Sequence, residues 1–151
     1  MHSNSNPTDT ESPPLPGGKG CILIIDDEPV LRSMASTMLT IHGWDVLSAS
    51  SAEEAAKLLR HAITHHTRIV AAIMDLVMPG GMSGIEALES LRELQPDLHI
   101  IASSGFLIGE ESRSACMEAG FDDILPKPYS MEELCRTVER SDAPLQTAEA
   151  L

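Results

Sequence analysis

The chain predicts an α/β fold: a five-stranded parallel sheet with helices on both faces. Short strand-like runs with apolar centres at residues 21–25, 69–74 and 99–103 each stop at an acid or at Ser-Gly. Between such runs, apolar residues recur at helical spacing. Strand-like and helix-like segments alternate from residue 21 to residue 138, and that alternation specifies parallel strands joined by crossover helices.

Cys21-Ile22-Leu23-Ile24-Ile25 is apolar throughout and ends at Asp26-Asp27, as a strand covered on both faces does. Leu31, Met34, Met38 and Ile41 follow at helical spacing and form the expected buried face of a first helix. Pro29 suits its first turn and Gly43 its C-terminal stop. Residues 44–48 read as a second strand. Ser50 or Ser51, with Glu53 or Glu54 three residues on, makes a capping box. Ala55, Leu58, Leu59, Ala62 and Ile63 then mark a helical face.

Residues 69–74 are the third strand, ending on Asp75. Residues 78–81, Met-Pro-Gly-Gly, form a loop, and Ser83 with Glu86 caps a helix that buries Ile85, Leu88 and Leu91. Pro96 ends that segment. A fourth strand, 99–103, runs into Ser104-Gly105. Residues 110–118 are helical, with Gly120 just past the end. Ile124 and Leu125 make a brief fifth strand before Pro126-Lys127-Pro128. Ser130 and Glu133 cap a last helix carrying Met131, Leu134, Cys135 and Val138.

The 151 residues suffice for one domain with tails. Residues 1–18, rich in Ser, Asn, Thr, Pro and Gly, are expected to be a disordered N-terminal tail. Residues 19–141 are the folded domain and 142–151 a C-terminal tail. Ten Lys and Arg against 23 Asp and Glu give a formal charge of −13. That balance argues against nucleic acid and against anionic membrane surfaces as partners. Three widely spaced cysteines, Cys21, Cys116 and Cys135, make no disulfide framework, although the last two lie on successive helices that could bring them together. The first residues carry neither a basic region nor an apolar run, and no stretch approaches the ~20 residues of a membrane span. A soluble, cytoplasmic protein is expected.

In open parallel sheets the working site lies beyond the carboxyl ends of the strands. The polar residues collect there: Asp26 and Asp27 after the first strand, Asp75 after the third, Ser104 after the fourth and Lys127 after the fifth. Carboxylates gathered at one rim repel each other unless a cation joins them, and hard oxygen donors favour Mg²⁺. A lysine can meet an anionic ligand as a point charge, and a serine hydroxyl can donate to one of its oxygens. These parts suit phosphoryl transfer, with a carboxylate as nucleophile and an acyl phosphate as product. Asp75, on a middle strand before a Gly-rich loop, is the best nucleophile candidate.

Four segments, in order and at characteristic spacings, carry a resemblance. They are Ile24-Ile25-Asp26-Asp27-Glu28-Pro29, the run from Ile73 through Asp75 to Gly84, Ile101-Ala102-Ser103-Ser104-Gly105, and Leu125-Pro126-Lys127-Pro128-Tyr129. From about residue 20 to 140 the chain resembles a response-regulator receiver domain of two-component signal transduction, of the stand-alone or hybrid-kinase type. The resemblance implies the (βα)5 flavodoxin-like receiver fold. It also implies that Asp75 accepts a phosphoryl group from a sensor histidine kinase or a histidine phosphotransfer protein. Asp27 would ligate Mg²⁺ directly and Asp26 mainly through water, with Asp75 and the backbone carbonyl of Val77 completing the protein's ligands. Ser104 would be the switch hydroxyl, and Lys127 would pair with the phosphoryl group across a cis Lys127–Pro128 bond.

Three departures from the family's pattern stand out. The loop after Pro79 is one residue longer than the commonest form. Ile124 replaces the usual aromatic residue three before Lys127. Val77 and Phe106, two residues after Asp75 and Ser104, are apolar and would limit the approach of hydrolytic water.

The chain ends soon after the fifth helix, so no DNA-binding output domain is expected. Output would then be by contact with a protein effector, or by homodimerisation, through the face made by the fourth and fifth helices and fifth strand. Two alternatives stay open. A haloacid-dehalogenase-like aspartyl phosphatase wants its acids two residues apart on the first strand, whereas Asp26 and Asp27 are adjacent. A phosphate-independent interaction module would not need Asp27, Asp75 and Lys127 together. A P-loop is excluded, since Gly18-Lys19-Gly20 precedes a strand and no Gly-Lys-Ser or Gly-Lys-Thr follows one. His61, His65 and His66 are expected to be a solvated helix end rather than ligands.

Overall fold

The computed structural model describes residues 18–77, 84–105 and 109–142. Residues 1–17 of the expected N-terminal tail, the Ser83 cap, the 78–81 loop, Phe106 and residues 143–151 lie outside them. Within them, strands and helices alternate as β1 (Cys21–Ile25), α1 (Pro29–Ile41), β2 (Asp45–Ala49), α2 (Ala52–Thr64), β3 (Ile69–Asp75), α3 (Gly84–Leu94), β4 (His99–Ser104), α4 (Gly109–Ala119), β5 (Asp123–Pro126) and α5 (Met131–Ser141). The strands form one parallel sheet in the order β2-β1-β3-β4-β5. The order reverses between β1 and β3, which opens a crevice at their carboxyl ends.

Alternation along the buried strands divides the core. Cys21, Leu23 and Ile25 of β1, with Ala72 and Met74 of β3, face α2, α3 and α4, meeting Leu59, Leu88, Leu91 and Cys116. Ile22, Ile24, Ala71 and Ile73 face α1 and α5, meeting Ala35, Leu39, Leu134 and Val138. Every residue of β1 and β3 is buried, which is why these strands read as unbroken apolar runs.

Several expected helix faces are rotated. In α1 the buried residues are Ala35 and Leu39, while Met34 is 49% and Ile41 66% exposed. Ala35 lets the helix backbone come close to the sheet, so the stripe centres on the small residue and the larger ones are displaced to its edge. Ile63 and Ile85, expected inside, are also substantially exposed, and Ala56 and Ala87 take buried places. The second strand begins one residue later than expected, and Trp44 packs before it beside Leu39. Of the two described capping sites, the first is only half the expected box, since Glu54 Oε1 accepts from the Ser50 amide and hydroxyl rather than from the Ser51 amide. Ser51 Oγ accepts from the Glu54 amide, and Ser130 and Glu133 complete a reciprocal capping box. Gly43 and Gly120 follow their helices at φ +95° and +115°, where a β-carbon would be strained. All three cysteines are free and buried. Cys116 packs with α2 and α3, whereas α5, which bears Cys135, lies on the opposite face of the sheet. No described helix is long and apolar enough to cross a membrane.

Candidate functional site

The parallel ladder continues one residue beyond its strands and fixes the rim. The Asp26 amide donates to the Ala49 carbonyl at 3.0 Å, the Leu76 amide to Ser103, and the Lys127 amide to the Ser104 carbonyl at 3.0 Å. Asp26, Asp75, Ser104 and Lys127 therefore leave four different strands at one level. Asp26, Asp75 and Ser104 are buried, and Lys127 and Asp27 half-buried.

The carboxylates converge. Asp26, Asp27 and Asp75 each offer an oxygen, and these three atoms all lie within 4.8 Å of one another. The Lys127 ammonium donates to Asp26 Oδ2 at 2.8 Å and stands 3.3 Å from Asp75 Oδ2. Its parent peptide bond to Pro128 is cis, as the resemblance implied. The Val77 amide donates to Asp75 Oδ1 at 3.1 Å, and the Glu28 amide to Asp26 Oδ1 at 3.0 Å. One ammonium thus faces three carboxylates in a rim partly shielded from water. A cluster of hard oxygen donors with surplus negative charge fits Mg²⁺.

The electrostatics follow from that crowding. Burial raises the Asp75 carboxyl above the ordinary carboxylate range, against the opposing pull of the Val77 amide and Lys127. Burial lowers Lys127, but the Asp26 hydrogen bond and the charges of Asp26 and Asp75 outweigh it and hold the ammonium above its usual value. Tyr129, two residues on, has its phenol pushed up by burial. Tyr129, Pro128 and Lys127 also line an apolar groove of about 360 Å³, whose other wall is Leu31, Met34 and Met38 of α1.

The six expected site residues all belong to this rim. Val77 contributes its amide to Asp75, with its side chain 52% exposed. Ile124 is buried on β5, beside a second cavity lined by Glu110, Arg113, Met117 and Glu118 of α4. His61 and His65 stack with ring centroids 4.0 Å apart at the exposed end of α2, before β3 begins and away from the acid rim. Sequence reasoning missed Arg32, whose Nη1 donates to the Asp26 carbonyl at 2.7 Å. The only available signal was a cation on the first turns of the helix that follows the paired acids.

Comparison with known proteins agrees with the fold. The family model described as response regulator receiver domain matches residues 22–139. The chain is 34% identical over 113 residues to a probable transcriptional regulatory protein, TcrX, of Mycobacterium tuberculosis. That match covers 75% of this chain and 45% of the relative, so the chain spans less than half the length of that curated relative. Among solved structures, a receiver domain protein from Clostridium thermocellum superposes with a TM-score of 0.72 at 25% identity, covering 85% of this chain and 98% of that one. The receiver domain of the hybrid histidine kinase CckA superposes at 0.65 with 29% identity, covering 81% and 98%.

Proposed function

Because the chain belongs to the receiver domains of two-component response regulators, we propose that it is a signalling switch phosphorylated on Asp75. The observation that carries the reading is the rim itself: three carboxylates within 4.8 Å of one another, two of them bridged by a single lysine. We take residues 19–141 as the switching unit and the cytoplasm as its setting.

In the proposed reaction an Asp75 carboxylate oxygen attacks the phosphorus of a phosphohistidine. A P–O bond forms, the P–N bond breaks, and the donor imidazole leaves with the bonding electron pair and takes up a proton. Asp27, Asp75 and the Val77 carbonyl would hold Mg²⁺, with Asp26 acting through water. When bound, the ion supplies neutralisation of charge on the phosphoryl oxygens. Lys127 exchanges its contact with Asp75 for a phosphoryl oxygen, and the Ser104 hydroxyl donates to another. The apolar groove opens at Lys127, so a donor delivering its histidine to Asp75 would rest on α1 and Pro128-Tyr129.

The donor would be a sensor histidine kinase or a histidine phosphotransfer protein. The signal would leave through α4, β5 and α5, either to a protein effector or to a second copy, as a population shift between two surface states. With Ile124 buried on β5, that shift cannot use an aromatic rotamer at this position.

The test is acetyl phosphate with Mg²⁺, followed by intact mass. Wild type should gain one phosphoryl group and Asp75→Asn none. An equal gain in Asp75→Asn would overturn the assignment. Sustained turnover of small phosphate esters would favour the phosphatase alternative.

A further inference from the structure

We infer that Arg32 is a positioning residue for the divalent-cation site, acting through the peptide that joins Asp26 to Asp27. The inference rests on the reading of Asp26, Asp27 and Asp75 as a Mg²⁺ site.

Every polar group of Asp26 is engaged. Its amide donates to Ala49, its Oδ1 accepts from the Glu28 amide, and its Oδ2 accepts from Lys127. Its carbonyl accepts from Arg32 Nη1 at 2.7 Å. That carbonyl lies in the planar peptide unit whose other end is the Asp27 Cα. Holding the oxygen fixes the plane, and with it the position of the Asp27 Cα from which the side chain departs. On its other side Asp27 is held by the Glu28 amide, which donates to Asp26 Oδ1, while the Asp27 carboxylate itself has no hydrogen-bond partner among the described residues.

Arg32 is placed to act as a clamp. Glu28, at the N-cap of α1, makes no side-chain cap, so the turn from β1 into α1 lacks the usual end fixture. The Arg32 amide donates to the Glu28 carbonyl at 3.0 Å, which seats the residue in the helix's first hydrogen-bonded turn. From there the half-buried side chain reaches back to the end of β1. A guanidinium on a carbonyl at this distance is a charge-assisted bond, stronger than a neutral one. Groups that orient metal ligands without touching the metal typically change its affinity 10–100-fold.

The experiment titrates MgCl₂ into the full chain and follows backbone amide shifts by NMR, which report folding and binding together. Wild type should saturate, and Arg32→Met should bind about tenfold more weakly while remaining folded. Arg32→Gln, which keeps a shorter neutral donor, should fall between them and serves if Arg32→Met does not fold. Leu39→Val, which trims the core under the same helix, should lower thermal stability yet keep wild-type Mg²⁺ affinity. Wild-type affinity in the folded arginine variants overturns the inference. So does an equal loss in Leu39→Val, which would make Arg32 a matter of stability alone. If wild type shows no saturable Mg²⁺ binding, the metal reading itself falls, and this inference with it.

Discussion

Asp27→Asn should make the metal-free protein more stable, the reverse of what most substitutions do. Asp27 is half-buried, one of its oxygens lies within 4.8 Å of oxygens on both Asp26 and Asp75, and Lys127 contacts those two carboxylates rather than Asp27. Two unit charges 4.8 Å apart repel by about 0.9 kcal/mol across bulk water and by about 3.5 kcal/mol at an effective dielectric constant near 20. A half-buried site lies between these limits, and part of the repulsion is answered by Lys127. Losing the charge on Asp27 relieves two such pairs, so a gain of about 1–2 kcal/mol is expected in the absence of divalent ions. Asparagine keeps the shape and forfeits no hydrogen bond among the described residues. Urea denaturation with EDTA, repeated with MgCl₂, is the assay. A stabilising ligand adds RT ln(1 + [L]/Kd), so Mg²⁺ should raise the midpoint of wild type and barely move that of Asp27→Asn. A destabilised variant in EDTA, or the same Mg²⁺ increment in both proteins, would refute the account of a strained acid rim.

Two further expectations follow. Burial holds the His99 imidazole below its ordinary value, 6.5, against the pull of Asp122 and Asp123 and with the help of Arg92 on α3 and Arg140 on α5. The unfolded chain therefore takes up the proton first, so this stability is full above pH 6.5 and declines as pH falls below it. His99→Gln should flatten that part of the stability–pH curve, measured by urea midpoints; an unchanged slope rules His99 out as its source. Val77→Asn replaces an exposed apolar side chain beside Asp75 with one that can orient water, and should shorten the acyl-phosphate lifetime several-fold. Loss of phosphoryl mass after donor removal measures it, and an unchanged lifetime counts against the shielding role.

What was legible in the sequence follows from how each element is buried. β1 and β3 are covered on both faces, so composition alone announces them, and the acids that end them stand out by contrast. α1 is covered on one face by a sheet that needs close approach at Ala35. Hydrophobicity favours Met34 and Ile41 there, whereas distance favours alanine, and distance wins. The acid rim was legible because its members interrupt apolar strands. Arg32 was not, because its partner is a main-chain carbonyl, and a carbonyl leaves no trace in residue identity. The convergence of Asp26 with Lys127, 101 residues later, came from strand order, which short motifs imply only when taken together.

The adjacency of Asp26 and Asp27 hides a division of labour. With all four polar groups of its residue committed to protein donors and acceptors, the Asp26 side chain ties β1 to β5 through Lys127 and to α1 through Glu28. Asp27 is the next residue, yet its carboxylate makes no hydrogen bond among the described residues. Lys127 contacts both Asp26 and Asp75 in the resting rim, and under the proposed function it would stand ready when charge is added to Asp75. Replacing Asp26 should therefore disturb architecture and ligand together, whereas replacing Asp27 should weaken the ligand site while relieving repulsion in the metal-free rim. Under the proposed function, the charge crowded into the resting rim is what a divalent cation would relieve on binding.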